Sequence, residues 1–92
     1  MTNSAVIALP AICDLGAAAP LKDALTALLN GADRLTIDAG AVRQFGTPCA
    51  QVLLSAERST QGGVQISEAS PVFIDAMRDL GLDAALERWS KP

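Results

Sequence analysis

Three short apolar runs, each separated from the next by a segment of helical period, restrict this chain to a layered α/β fold. Ala5–Leu9 is apolar and stops at Pro10, which cannot donate to a strand ladder. Arg34–Asp38 puts Leu35 and Ile37 on one face, and Val64–Ser67 alternates Val64 and Ile66 with polar residues. Between the first two runs, Leu21, Ala24, Leu25, Leu28 and Leu29 recur at helical spacing and predict a helix over Ala18–Asn30. Pro20 suits its first turn, where a missing N–H costs nothing, and Asn30-Gly31 is its stop; Ala11–Gly16 before it reads as a turn. Between the second and third runs, Cys49, Val52, Leu53 and Ala56 form the buried stripe of a helix over Pro48–Gln61, with Gln51, Glu57 and Arg58 turned to water.

After the third run, Ser70-Pro71 supplies a capping hydroxyl and a first-turn proline, and Phe73, Ile74, Met77 and Leu80 give that helix its apolar face. A last helix over Asp83–Ser90 carries Trp89 as a lid on the core edge. Strands alternating with helices imply a small, mostly parallel or mixed sheet of three to four strands covered by about four helices, in one domain over residues 1–92.

Composition then narrows the function. The net charge is −3 and the seven Lys and Arg are scattered, so no cation cluster is present to displace the counterions of a nucleic acid. There is no histidine, which removes the commonest general acid/base and the commonest metal ligand. Gly31, Gly40 and Gly46 lack the spacing of a phosphate-binding loop, and no CxxC or other ligand cluster points to a metal or cofactor. Asp14, Asp38, Glu57 and Glu68 are dispersed rather than paired for acid/base work. These features point away from an enzyme. Met1-Thr2-Asn3-Ser4 does not read as a secretory leader, and no apolar stretch approaches the roughly 20 residues that span a bilayer. A cytoplasmic setting is the expectation, with Cys13 and Cys49 as reduced, packed thiols.

One segment stands above this background: Ile37-Asp38-Ala39-Gly40-Ala41-Val42-Arg43-Gln44-Phe45-Gly46-Thr47-Pro48-Cys49-Ala50-Gln51-Val52-Leu53-Leu54-Ser55-Ala56. A strand ending in Asp runs through a loop into an apolar helix. This resembles the central signature of the STAS family, the anti-sigma-factor antagonists and their relatives. Leu9–Asp14 before the Ala-rich helix resembles the family's opening, and Val64-Gln65-Ile66 followed by a helix ending in Leu80-Gly81-Leu82 resembles its C-terminal half. The form Gly-x-x-Cys-x-Gln-Val-Leu-Leu-Ser-Ala looks most like short stand-alone STAS proteins associated with bacterial chemotaxis clusters. The resemblance implies a non-catalytic module that binds a regulatory protein, such as an anti-sigma factor, a switch kinase or a chemosensory protein. It also leaves two alternatives: a subunit docked on the ATPase of a lipid-transport ABC complex, or a sensor of a small ligand or nucleotide.

The departures from that family pattern are informative. Where the phospho-regulated antagonists carry Asp-Ser-Ser-Gly, this chain carries Gly46-Thr47-Pro48-Cys49. The usual phosphate acceptor is Pro48, which has no hydroxyl. Thr47 is therefore the residue to watch, with three readings: a helix N-cap, a direct partner contact, or a phosphate acceptor at a helix N-terminus. Asp14 and Asp38 have double readings too, as loop or helix braces and as parts of the binding surface. The expected partner surface is the loop Ala39–Gly46 with the helix start Thr47–Gln51, joining Asp14, Asp38, Gly46, Thr47, Pro48 and Gln51. The family's domains usually place two strands before the first helix, and this chain has room for little more than one. The Ala5–Leu9 strand is then expected to present a free edge to a partner or a second copy, unless Met1–Ser4 folds back beside it.

Overall fold

The computed structural model describes residues 4–90. In chain order the elements are β1 (Ser4–Ala8), β2 (Ile12–Cys13), α1 (Leu15–Leu28), β3 (Arg34–Ala39), β4 (Gln44–Phe45), α2 (Thr47–Ser59), β5 (Val64–Ala69), α3 (Pro71–Asp79) and α4 (Asp83–Ser90). The main sheet has three parallel strands in the order β1-β3-β5, and β2 and β4 pair separately as a two-residue parallel ladder. The expected α/β class and parallel sheet are present. The two short strands fall in segments whose sequence reads only as turn and loop.

Strand order increases steadily across the main sheet, so right-handed crossovers place α1 and α2 on the same face. Burial follows. Ala5 and Ile7 of β1 and Leu35, Ile37 and Ala39 of β3 are buried on the helical face. Ser4, Val6 and Ala8, Arg34, Thr36 and Asp38, and Gln65 alternate onto the other, where they are exposed or half-buried. Phe73, Met77, Leu53 and Trp89 fill the space between sheet and helices, each fully buried, which contributes roughly 1.5–3 kcal/mol apiece. Phe45 meets Phe73 edge-to-face at 4.9 Å and 67°. Trp89 is a member of the core rather than a lid upon it.

Local boundaries correct several sequence readings. Helix α1 begins at Leu15, not Ala18, because Asp14 caps it: the Asp14 Oδ1 accepts from the Ala17 N–H at 3.2 Å. Pro20 therefore lies inside the helix. Its missing N–H would have bonded the Gly16 carbonyl, and both residues are exposed, so water can serve that carbonyl. Helix α2 begins at Thr47 with Gly46 as its N-cap and no side-chain cap, which moves Thr47 from the cap to the first helical position. On α2, Val52 is only half-buried and Ala50 takes its place in the buried stripe. Glu57 is half-buried and bonded to α4, not turned to water. Ser70 caps α3 as its sequence suggests, accepting from the Phe73 N–H at 3.1 Å.

Among the described residues β1 pairs only with β3, which makes it an outer strand of the sheet. Ser4 belongs to the strand itself. The suggested fold-back of the preceding residues lies outside the described residues.

Candidate functional site

In a parallel sheet the loops leaving the carboxyl ends of the strands, and the helix N-termini that follow them, collect at one edge. Here that edge carries the starts of α1, α2 and α3. The backbone ties them together. The Ala11 carbonyl accepts from the N–H groups of Arg43 and Gln44 at 2.8 and 3.0 Å, and the Cys13 carbonyl accepts from the Gly46 N–H at 3.0 Å. The Cys49 thiol donates to the Asp14 carbonyl at 3.4 Å. On the far side of the loop, the Ser70 hydroxyl donates to the Val42 carbonyl at 2.7 Å while its N–H donates to the Ala39 carbonyl at 3.1 Å. Val42 and Phe45 are buried, so the loop between β3 and α2 is pinned by side chains beneath and by backbone bonds on both flanks.

Asp14, Gly46 and Thr47 are joined by this arrangement. Asp14 is exposed at the start of α1, and the bond from Cys49 holds its backbone beside the first turn of α2. Thr47 is exposed, and Pro48 is half-buried. Gln51, one turn on, is exposed and lines a groove between α1 and α2 together with Pro48, Lys22, Thr26 and Ser55. Lys22, Thr26 and Ser55 were not legible as site residues, because only the packing of α1 against α2 sets them beside Gln51.

Asp38 has a different place. Its Oδ1 accepts from the Gly40 N–H at 3.0 Å, which braces the loop as the sequence suggests. It lies in register with Ala8 on one side and Glu68 on the other, on the open face of the sheet. It supports the loop from below and is not bonded to Asp14 or Thr47.

The thiols beneath the site are quiet. Cys13 and Cys49 are free and fully buried. Burial, with the neighbouring Cys49 and Asp14, pushes the Cys13 thiol up to about 12. Burial also raises Cys49, against a lowering hydrogen bond with Cys13. Although Cys49 sits in the first turn of α2, burial is the largest influence on its thiol and disfavours the thiolate. What the surface offers is shape, backbone polarity and a few exposed polar and charged side chains, Asp14 and Lys22 among them.

The family model of the MlaB, STAS domain matches residues 2–88. The chain belongs to the STAS-domain family. Comparison with curated proteins and with solved structures gives no significant match. The domains of this family are generally non-catalytic modules for protein interaction. The small parallel sheet and four helices agree with that fold. Among the described residues two strands, the five-residue β1 and the two-residue β2, precede α1 in this STAS domain. No described helix is long and apolar enough to cross a membrane.

Proposed function

We propose that this STAS domain is a single-domain, non-catalytic regulator of a bacterial cytoplasmic signalling pathway. Its partner is a regulatory protein of the anti-sigma-factor, switch-kinase or chemosensory kind, bound through the 39–46 loop and the first turn of α2. The observation that carries this reading is the exposed Thr47 at the first position of α2, with the helix capped only by backbone at Gly46 and with Asp14 clamped alongside. Thr47, Pro48 and Gln51 are the contact residues, Gly46 shapes the approach, Asp14 gives the surface its charge, and Asp38 fixes the loop. Pro48 stands where relatives carry a phosphorylated serine, so the surface works as a constant docking site. If phosphate enters, it enters at Thr47, where the α2 dipole favours it.

The second reading is a STAS subunit held on an ABC-transporter ATPase. Thr47 favours it, since the relatives in lipid-transport complexes keep only a threonine at this place. Pull-down from the native cell with wild type, Thr47→Glu and Gln51→Ala separates these readings. Loss of a signalling protein with either variant supports the first, and salt-resistant recovery of an ATPase supports the second. Partners unchanged by both variants would overturn the assignment of the surface.

A further inference from the structure

Cys13 and Cys49 are the chain's two cysteines, and the fold sets them together. The Gly46 N–H donates to the Cys13 carbonyl at 3.0 Å, and Cys49 lies in the turn that follows, the first of α2. The Cys49 thiol reaches back to the segment that carries Cys13, donating to the Asp14 carbonyl at 3.4 Å. The Cys13 thiol donates to the Pro10 carbonyl of the same segment at 3.2 Å. The two sulfurs also hydrogen-bond each other, and neither residue is exposed.

We propose that this pair is a latent disulfide: on oxidation by a low-molecular-weight disulfide such as oxidised glutathione, Cys13 and Cys49 join and tie the segment before α1 to the first turn of α2. The loss of the two S–H groups leaves little behind. The Asp14 carbonyl keeps the Ala17 N–H at 3.1 Å, and Pro10 is exposed, so water can serve its carbonyl. The bond closes the long loop from residue 13 to residue 49, which removes much of the freedom of the unfolded chain. It lies directly beneath Asp14 and the start of α2, so oxidation fixes that edge of the molecule covalently.

The exchange balances. Cys49 is the attacking group, because the hydrogen bond from Cys13 favours its thiolate and the start of α2 has no side-chain cap. Its proton passes to solvent, its sulfur bonds to one glutathione sulfur, and the other glutathione leaves and is protonated. The Cys13 sulfur then gives up its proton and attacks the Cys49 sulfur, which releases the second glutathione. The two protein thiols lose two electrons and two protons, and one oxidised glutathione becomes two reduced ones. Burial makes closure slow in the folded chain, since the reagent enters only when the first turn of α2 opens. Burial also protects the closed pair, because a sulfur whose thiolate is disfavoured is a poor leaving group.

The test equilibrates the wild-type protein in glutathione buffers of rising oxidised fraction, folded and in denaturant, approached from both reduced and oxidised material. Samples are quenched with acid and weighed intact. The folded protein should convert to a species lighter by two hydrogens, with no glutathione attached. Half-conversion should need at least about tenfold less oxidised glutathione than in denaturant. The closed form should melt about 10 °C or more above the reduced form. Folded protein that keeps both thiols, or that carries glutathione on either cysteine without closing, overturns the proposal. A pair that closes no more readily folded than unfolded overturns it too. Every arm uses the wild-type chain, so no outcome turns on whether a variant folds.

Discussion

The indole N–H of Trp89 donates to Glu57 Oε2 at 2.7 Å, tying the last turn of α4 to the C-terminal half of α2. The same carboxylate accepts from Arg88 at 3.2 Å through Nε and at 2.8 Å through Nη2. A fully buried tryptophan carries one polar atom, and this bond is what lets the ring enter the core. Glu57→Ala leaves that N–H without its acceptor and should cost about 1–3 kcal/mol, read as a lower melting temperature. Arg88→Ala removes a partner that is half-exposed at the surface and should move the melting temperature far less.

The pH dependence follows from the same contact. The hydrogen bond from Arg88 holds Glu57 below the ordinary carboxylate range, against an opposing effect of burial. A group depressed in the folded state adds stability above its unfolded pKa, about 4.3, and loses it as the pH falls through the lower folded value. Melting temperature should therefore drop on acidification below about pH 5, and Glu57→Gln should flatten that drop.

The thiols make a kinetic test of core integrity. With Cys13 pushed up to about 12 and Cys49 also raised, neither supplies much thiolate near neutral pH, and both are sealed from solvent. A disulfide reagent at pH 8 should leave the native protein unlabelled and titrate two thiols once denaturant is added. Rapid native labelling would mean that the α2 start opens readily.

Ser70 holds two elements with one hydroxyl, capping α3 at the Phe73 N–H and donating to the Val42 carbonyl. Ser70→Ala should cost about 1–2 kcal/mol, more than half of it from the lost cap. Hydrogen exchange in the 39–46 loop should accelerate beyond what the global destabilisation explains.

Two glycines should respond oppositely to a side chain. A Cβ at Gly62 would come within 2.8 Å of the Asp33 carbonyl, so Gly62→Ala should destabilise by about 1–3 kcal/mol. At Gly46 the nearest atoms would be 3.7 and 3.8 Å away and φ is −119°. Gly46→Ser should be accommodated and add a few tenths of a kcal/mol through a new cap. Denaturant midpoints of the two variants should shift in opposite directions.

The sequence carried the layers of this fold because hydrophobic period is a property of each segment alone. Leu35 and Ile37, or Phe73 and Met77, announce their buried faces without knowing their neighbours. Ser70-Pro71 likewise marks its helix start by local chemistry. Illegible were the features that depend on what lies opposite. Ile12–Cys13 and Gln44–Phe45 are strands only because they meet each other. Pro20 looked like a helix start until Asp14, further upstream, took the cap. Glu57 reads as a surface residue of α2 until α4 brings Trp89 to it, 32 residues on. At the candidate site, the bracing by Asp38 was legible because it spans two residues. The grouping of Asp14 with the α2 start came from the family resemblance, while the contact that makes it, between Cys49 and Asp14 35 residues apart, had no local signal.

The two-residue ladder of β2 and β4 has a consequence for recognition. It locks the loops that precede α1 and α2 into one piece, and Ser70 fastens the same piece to α3. A surface already frozen loses little conformational entropy when a partner arrives. The association proposed at Thr47 should accordingly resemble the docking of two preformed shapes, with the free and bound backbones of this edge nearly superimposable.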